Sequence, residues 1–419
     1  MDKCKHLIIG AGPAALAAAQ AIRNISKTAE ITLINREELP PYSPTVLPYL
    51  FSGELTESGL FKKGNEFIKN MKINLVRGKE VVEVLPETNE IEYKSGERET
   101  YDKLLIATGA SPKVPPVKNL ESDQYYTFRT YSDFQRFSRT LNTKQEIAIY
   151  GAGLVAVELA EKLCLAGHSV TIIVRSSLLR KYFSSNSVKT VEQLLVKNGA
   201  KVITKNTIVS AKKTNDKLEL LLSDGEKLTV NRLIIATGVN PNKIGSNLIP
   251  SENGLKVGIN METNLPNIYA AGDVAAAPSF FDKKNAPCPI LPEAVLQGRI
   301  AGANMAGEEL EYKGWIPCNY LRCFEADLFS IGINGIESGS EYNLIEKEEQ
   351  GKLIRLFFKN DYLVGAEGLN QKYIHPGVFL YLVREQVPAW KYKELLLSKP
   401  RETACWLMMQ HRKIKEFEC

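Results

Sequence analysis

The chain has 419 residues, of which 44% are hydrophobic and 24% are charged, and its formal net charge is +5 at pH 7. These ordinary fractions indicate a globular protein of two or three domains and exclude a disordered or fibrous chain. No apolar stretch approaches the ~20 residues that cross a bilayer, and the first strand is too short and too early for a signal peptide, so we expect a cytoplasmic protein without a membrane span.

The first predicted element is a short apolar strand, Cys4 to Ile9, followed by a Gly-x-Gly-x-x-Ala turn and a run of small residues that predicts a helix. Strand, glycine turn and helix in this order are typical of a dinucleotide-binding fold, in which the helix N-terminus binds a pyrophosphate. The predicted phosphate-binding residues are Gly10, Gly12, Pro13, Ala14 and Ala15.

The same arrangement recurs further along the chain, where the strand 146–150 runs into a second glycine turn and helix. The predicted phosphate-binding residues of this copy are Gly151, Gly153, Leu154, Val155 and Ala156. An apolar strand ending in Ala-Thr-Gly follows each copy, at 103–109 and at 232–238. A domain-scale repeat of this kind predicts two bound dinucleotides rather than one.

A further buried strand, 267–271, ends in Gly272-Asp273 at the sheet edge where parallel sheets bind ligands. A helix is predicted at 292–305, a hairpin at 353–367 with its turn at Asn360-Asp361, and two more helices at 378–385 and 392–397. The predicted fold is α/β, with two Rossmann-like nucleotide-binding domains and a C-terminal α+β domain.

In order and spacing, these motifs resemble the FAD-dependent pyridine nucleotide-disulfide oxidoreductase superfamily over residues 1 to about 306. Segment 41–49 is most similar to FAD/NAD(P)H subunits that serve iron–sulfur partners, such as the FAD subunit of phenylglyoxylate dehydrogenase, the nitrite reductase flavin domain, and rubredoxin or ferredoxin reductases. The resemblance implies a discontinuous FAD-binding domain (1–112 and 241–306), an NAD(P)-binding domain (113–240) and a C-terminal interface domain (307–419). It also implies a homodimer or hetero-oligomer.

The resemblance assigns further FAD contacts along the chain. They are Asn35, Arg36, Ser43, Pro44, Val81, Ala107, Thr108, Gly109, Arg129, Gly272, Asp273 and Ala294. Asn35 departs from the family, which often has Asp or Glu there to bind the adenosine ribose, but an amide can also hydrogen-bond a ribose. Ala294 should lie by the flavin pyrimidine, where a helix N-terminus stabilises negative charge.

The position of the redox-active cysteine is occupied differently in this chain. Relatives with a single active cysteine place it at the position that aligns with Thr45, and a hydroxyl cannot relay electrons as a thiolate does. Cys318 and Cys323 have the spacing of the redox disulfide of glutathione reductase relatives, but they lie far downstream of its usual place. We therefore expect structural cysteines, no iron–sulfur cluster held by this chain alone, and electron transfer to an external acceptor.

The choice of nicotinamide nucleotide depends on the strand 170–174. NAD-specific folds end this strand in an acid, whereas here Val174 stands at that position and Arg175 and Arg180 follow, a pattern suited to the 2'-phosphate of NADPH. Gly238, after the second Ala-Thr-Gly strand, is expected to line the same site. The alternative is that both arginines are only exposed residues, so NADPH is favoured and NADH stays possible.

Glu158, on the helix after the second turn, and Tyr49 are the predicted catalytic residues. Relatives often pair this glutamate with a lysine beside the flavin, and Tyr49 aligns with that lysine. Glu158 is expected to bond the nicotinamide carboxamide or Tyr49, and a purely structural role is the alternative.

The function predicted from the sequence is an FAD-dependent NAD(P)H oxidoreductase that exchanges electrons with an iron–sulfur protein or subunit. The alternatives are a stand-alone NAD(P)H oxidase or quinone reductase, and a redox-sensing flavoprotein. Nothing in the sequence indicates a metal site or nucleic-acid binding. The basic groups at 212–213 and 411–415 are interpreted as solvated surface, with docking of an acidic electron carrier as the alternative.

Overall fold

The computed structural model describes residues 4–141, 143–244, 250–251, 253–334, 342–371 and 375–418. The strands are β1 (Lys5–Ile9), β2 (Glu30–Asn35), β3 (Asn74–Arg77), β4 (Val81–Leu85), β5 (Glu90–Tyr93), β6 (Arg98–Thr100), β7 (Lys103–Ile106), β8 (Ala110–Pro112), β9 (Glu146–Tyr150), β10 (Ser169–Ile173), β11 (Lys201–Ile203), β12 (Ile208–Thr214), β13 (Lys217–Leu222), β14 (Lys227–Val230), β15 (Arg232–Ile235), β16 (Val239–Pro241), β17 (Pro250–Ser251), β18 (Gly254–Lys256), β19 (Ile268–Ala270), β20 (Ala275–Pro278), β21 (Asn285–Ala286), β22 (Cys318–Cys323), β23 (Ala326–Gly332), β24 (Asn343–Glu349), β25 (Lys352–Lys359) and β26 (Tyr362–Leu369).

The helices are α1 (Pro13–Ile25), α2 (Glu57–Asn70), α3 (Tyr131–Ser138), α4 (Leu154–Leu165), α5 (Ser185–Lys197), α6 (Leu291–Met305), α7 (Pro376–Arg384), α8 (Lys393–Ser398) and α9 (Pro400–Glu418). Short 3-10 helices span Pro44–Leu50 and Trp390–Tyr392. Among the residues described, no helix combines the length and apolar character needed to cross a bilayer.

The chain divides into two compact units. The first comprises Met1–Ser111, Arg129–Tyr131 and Val239–Trp315, and the second comprises Pro112–Phe128, Ser132–Gly238 and Ile316–Cys419. Residues 316–419 therefore share a unit with the second nucleotide fold. The finer domain boundaries expected from the sequence stay predictions.

The first unit is built on a parallel sheet with the strand order β19-β7-β1-β2-β3. Its central strand β1 is apolar along most of its length because helices and loops cover both faces of such a sheet. Helices α1 and α6 pack closely: a Cβ on Gly298 would lie 2.1 Å from the carbonyl oxygen of Ala14. This contact places the starts of both helices beside the same sheet edge.

The second unit contains a parallel sheet with the order β11-β10-β9-β15 and an antiparallel sheet β12-β13-β14. Its C-terminal part is a five-stranded antiparallel sheet, β22-β23-β26-β25-β24, packed with α7, which in turn contacts α9. The predicted hairpin is confirmed, since β25 and β26 pair around Asn360 and Asp361, and Asn360 has the positive φ of +53° that such tight turns favour. The α/β fold class is likewise confirmed.

The last helix divides its apolar residues between core and surface. Leu407 is buried, whereas Trp406 and Met409 are exposed. Trp406 packs edge-on against Tyr392, with ring centroids 5.0 Å apart. Cys419 lies outside the described residues.

Candidate functional site

A cavity of about 480 Å³ lies in the first unit, at the carboxyl ends of β1, β2, β7 and β19. This is the edge at which open parallel sheets bind ligands, and the volume is that of a cofactor site. The sequence-predicted residues that line it are Gly10, Gly12, Pro13, Ala14, Asn35, Arg36, Pro44, Val81, Ala107, Thr108, Gly109, Arg129, Gly272, Asp273 and Ala294. Ala15, Ser43 and Tyr49 are not among the described residues that line this cavity.

The glycine turn between β1 and α1 forms one wall of the cavity. Gly10 has a φ of +119°, and a Cβ there would lie 2.3 Å from the carbonyl oxygen of Ala107, so only glycine fits. Gly12 is the N-cap of α1, whose first turn carries no acidic residue, and a Cβ on Gly12 would meet nothing within 4 Å. The positive end of a helix therefore faces open space, as an anion site requires.

The segment after β2 forms the next part of the wall. The Asn35 side chain donates to the Leu39 carbonyl at 2.9 Å and accepts from the Glu37 amide at 3.2 Å. Tyr42 donates to Glu37 at 2.9 Å and accepts from the Tyr131 amide at 2.8 Å. Asn35 is thus already bonded within its own turn, which the sequence did not indicate.

Arg129 and Asp273 form an ion pair across the cavity wall, with 2.7 Å between Nη2 and Oδ2. Two residues predicted separately from the sequence are therefore brought together. Sequence reasoning missed Asn242, which lines the cavity and fixes the end of the first Ala-Thr-Gly strand. Its side-chain Nδ2 donates to the Thr108 carbonyl at 3.0 Å, and Thr108 Oγ1 donates to the backbone carbonyl of Asn242 at 2.6 Å. The signal was its place just after the second Ala-Thr-Gly strand, within Asn-Pro-Asn.

Helix α6 points its N-terminal turn at the cavity, where Ala294 lies in the lining. Behind it, Gln297 accepts from the Gly272 amide at 2.9 Å, and the Tyr312 hydroxyl donates to Glu293 at 2.5 Å. Burial, followed by the Glu293 carboxylate, raises the pKa of Tyr312. This buried network holds α6 against the Gly272-Asp273 turn.

The second glycine turn repeats the first in backbone terms. A Cβ on Gly151 would lie 2.1 Å from the carbonyl oxygen of Ala236, and Gly153 is the N-cap of α4, again without an acid in the first turn. Val155 is exposed and Ala156 is fully buried. Gly238 accepts from the Lys113 amide at 2.8 Å.

Arg175 and Arg180 are both exposed, and they lie in the loop between β10 and α5. This loop is bonded to the second glycine turn, because the Leu179 amide donates to the Ala152 carbonyl at 2.7 Å. The arginines are therefore carried by a loop that adjoins the second glycine turn.

Glu158 lies on α4, one turn before Glu161. Burial, reinforced by the Glu161 carboxylate and opposed by Lys162, raises the pKa of Glu158 to about 7. Glu161 is buried and accepts from the Phe324 amide at 2.6 Å. At neutral pH Glu158 can therefore hold or release a proton. Tyr49 belongs to the first unit, in the 3-10 helix Pro44–Leu50.

Residues 4–309 match the family described as "Pyridine nucleotide-disulphide oxidoreductase". The chain belongs to this family. It is 31% identical over 417 residues to the epsilon subunit of NADH-dependent phenylglyoxylate dehydrogenase of Aromatoleum evansii, covering 98% of each chain. It is 28% identical to the NADH-rubredoxin oxidoreductase of Clostridium acetobutylicum, covering 87% of this chain and 91% of that protein.

Among solved structures, an engineered water-forming NADPH oxidase bound to NADPH shares the fold, with a TM-score of 0.83, 22% identity and 91% of each chain covered. Its parent is the NADH oxidase of Lactobacillus brevis. Membership of the family makes the chain an NAD(P)H-dependent flavoprotein oxidoreductase that uses FAD. The residues of the first unit fit FAD, since its cavity combines a close backbone approach at Gly10, an open helix N-terminus at Gly12 and a second helix start near Ala294.

Proposed function

We propose that this protein exchanges electrons between a nicotinamide nucleotide, with NADPH favoured, and an iron–sulfur protein or subunit. The observation that carries the proposal is the chemistry of the cavity wall. Thr45 lines the cavity, and none of the cysteines that the structure describes is among its lining residues. We therefore expect electrons to leave this site for an external acceptor rather than for a disulfide at the cavity wall.

The two cysteines with redox-like spacing do not form an alternative relay. Cys318 and Cys323 begin and end the same strand, so they point to opposite faces and lie roughly 17 Å apart at ~3.3 Å per residue. A disulfide needs Cα atoms within about 7 Å. Burial also raises the pKa of Cys323 to about 12, which disfavours the reactive thiolate.

The names of the relatives support an iron–sulfur acceptor. The Clostridium acetobutylicum protein is an NADH-rubredoxin oxidoreductase, and another relative, from Photorhabdus laumondii, is a ferredoxin–NAD(+) reductase component. Bound FAD would supply the conversion between a two-electron hydride and the single electrons that an iron–sulfur carrier exchanges. The same chemistry would serve the direction from carrier to nucleotide.

The chain's own residues have separate roles in this proposal. The amides at the start of α1 bind the FAD pyrophosphate, Asp273 holds the ribitol, and Arg129 fixes Asp273 through their 2.7 Å ion pair. Glu158 orients the nicotinamide carboxamide, and Tyr49 lies at the position of the family's lysine. Hydride transfer needs close alignment rather than a proton relay, so this scheme requires no acid–base pair.

Preference for NADPH rests on Arg175 and Arg180. Val174, at the position of the acid in NAD-specific folds, is 1% exposed and offers no hydrogen bond to a ribose hydroxyl. Both arginines are exposed beside the second turn, and a guanidinium matches a phosphate bidentately. A comparable change accompanies NADPH use in the engineered oxidase, whose substitutions remove an aspartate and introduce two arginines.

Anaerobic stopped-flow reduction of the flavin by NADPH and by NADH tests the nucleotide preference. We expect faster reduction by NADPH in the parent protein, and loss of that preference by at least 10-fold when Arg175 and Arg180 are both changed to Ala. Arg139→Ala removes an exposed arginine elsewhere in the same unit and serves as the matched control. Preference for NADH in the parent protein would refute the phosphate role of the two arginines and leave the electron-transfer proposal intact.

Steady-state turnover with different acceptors tests the partner. A rubredoxin and a [2Fe–2S] ferredoxin are compared with oxygen, a quinone and coenzyme A disulfide. We expect the iron–sulfur proteins to be reduced at least 10-fold faster than the others. Faster turnover of oxygen or quinone would favour a stand-alone oxidase or quinone reductase. Slow reduction of the flavin by both nucleotides, with long-wavelength charge transfer, would favour a redox sensor. Reduction of coenzyme A disulfide would contradict the inference from Thr45.

A further inference from the structure

We infer that Glu367, in the C-terminal sheet, is a positioning residue for the nicotinamide nucleotide. Its carboxylate holds the end of the arginine segment, which we define as residues 175–184, and thereby sets where Arg180 stands. The inference rests on the proposed role of Arg175 and Arg180 in binding the 2'-phosphate. It assigns to the C-terminal part of the second unit a share in nucleotide selectivity.

One side of the arginine segment is fixed to the nucleotide fold. The Leu179 amide donates to the Ala152 carbonyl at 2.7 Å, within the glycine turn, and Leu179 takes a positive φ of +49° to do so. A Cβ on Gly153 would lie 3.8 Å from the Tyr182 hydroxyl. Leu178, Leu179 and Phe183 are buried, so the segment is packed beside the turn rather than projecting freely.

The other end of the segment is fixed by Glu367. Its Oε1 accepts from the Ser184 amide at 3.0 Å, the Ser184 hydroxyl at 2.7 Å and the Ser187 hydroxyl at 2.6 Å. Its Oε2 pairs with Arg355 at 3.2 Å. Ser184 is the N-cap of α5 and makes no capping bond of its own, so the carboxylate meets the positive end of that helix.

Because Glu367 is buried, its carboxylate depends on these hydrogen bonds. Glu367 is fully buried, and a buried carboxylate is stable only while its donors stay in place. Asn334 adds a second contact from the C-terminal part, donating to the Lys181 carbonyl at 3.1 Å. Arg180 therefore lies between a bond to the glycine turn, made by Leu179, and three bonds to the C-terminal part, one made by Lys181 and two by Ser184.

The consequence is specific to the 2'-phosphate. NADPH and NADH share the pyrophosphate and the nicotinamide, and they differ only at the group that Arg175 and Arg180 are proposed to bind. A small displacement of the arginine segment weakens the charge-assisted bonds to that group and leaves the shared contacts in place. Loss of the Glu367 charge should therefore change selectivity more than it changes the rate of the chemical step.

The test compares Glu367→Gln with the parent protein. Because Gln keeps the shape but presents an NH₂ where a donor now points, we expect the KM for NADPH to rise about 10-fold while kcat and the KM for NADH change less than twofold. Calorimetry with adenosine 2',5'-bisphosphate reports phosphate binding without turnover. It should show that Glu367→Gln binds this compound about 10-fold more weakly than the parent protein does. Glu348→Gln is the matched control, since Glu348 is an exposed carboxylate of the same sheet that accepts from Asn186 of α5 at 2.9 Å.

Several outcomes would overturn the inference. Equal increases in both KM values, or a fall in kcat alone, would mean a merely structural role. Should Glu367→Gln fail to fold, Ser187→Ala removes one donor to the carboxylate, and we then expect a two- to threefold rise in the KM for NADPH alone; no change would refute the inference. If replacing Arg175 and Arg180 does not alter selectivity, the proposed NADPH preference fails; if it does and Glu367→Gln does not, only the positioning role fails.

Discussion

In the first glycine turn a Cβ on Gly10 would lie 2.3 Å from the Ala107 carbonyl oxygen, and in the second a Cβ on Gly151 would lie 2.1 Å from that of Ala236. Each turn is followed by a helix with glycine at its N-cap and no acid in its first turn. What packs around the two turns is different. Helix α1 lies against α6 of its own unit, whereas α4 contacts β22 of the C-terminal sheet, and Glu161 of α4 accepts from the Phe324 amide just after that strand.

The comparison separates two tasks of a dinucleotide site. In the proposed function, the repeated backbone binds the pyrophosphate that FAD and the nicotinamide nucleotide have in common. The surroundings supply what distinguishes them: a cavity formed within one unit in the first case, and exposed arginines with a titratable glutamate in the second. Substitutions in the shared backbone should therefore remove binding, and substitutions in the surroundings should change selectivity or pH dependence.

The largest effect is expected from Gly10→Ala, because its Cβ would collide with a backbone carbonyl and the φ of +119° is strained for any other residue. We expect the purified Gly10→Ala protein to contain no FAD, and FAD content is measured as the ratio of absorbance at about 450 nm to that at 280 nm. Gly12→Ala separates FAD binding from folding, since its Cβ meets no protein atom within 4 Å. The Gly12→Ala protein should fold normally and bind FAD at least 10-fold more weakly. Full flavin content in Gly10→Ala would contradict the model of a close backbone approach.

In the second turn, Gly153→Ala tests the same close approach with nucleotide instead of FAD. Its Cβ would make only an ordinary 3.8 Å contact with Tyr182, so the fold should tolerate it. Because both nucleotides share the pyrophosphate, we expect the KM for NADPH and for NADH to rise about 10-fold together, with FAD content unchanged. This contrasts with the arginine substitutions, which should affect NADPH alone. An unchanged KM for both would mean that the pyrophosphate is bound elsewhere.

The sequence predicted the parts of this site that follow from local pattern. The strands, the glycine turns and the hairpin at Asn360-Asp361 are local, and they are recognisable from apolar runs and turn residues. The partner of Arg129 lies far along the chain at Asp273, and Asn242 meets Thr108 only after both Ala-Thr-Gly strands are in place. Contacts between distant segments leave no periodic signal, which is why these and the Glu367 cluster needed the structure.

The stability of the protein should depend on pH through Glu158, because the pKa of Glu158 is about 7 in the folded protein and 4.5 ordinarily. At pH values below 4.5 the carboxyl is protonated in both folded and unfolded states. As pH rises from 4.5 to 7 the unfolded state ionises first, so folding stability is lost by up to about 3 kcal/mol and then stays constant. Glu158→Gln removes this loss, so its melting temperature should match the parent's near pH 4.5 and exceed it at pH 8. If the melting temperatures of the parent and of Glu158→Gln change with pH in parallel, Glu158 is solvated and its pKa is not raised.

The smallest effect is expected from Asn35→Asp, which introduces the acid that relatives often use to bind the adenosine ribose. In this chain the Asn35 amide already donates to Leu39 at 2.9 Å, and a carboxylate would face that carbonyl instead. The lost bond should cost about 1–3 kcal/mol, seen as a melting temperature lower by several degrees, with no gain in FAD affinity. Asn35→Ala loses the same bond without adding charge and is the control. Tighter FAD binding at unchanged stability would show instead that Asn35 is available to the ribose. The first site would then select its ligand by a side chain, as Arg175 and Arg180 are proposed to do in the second.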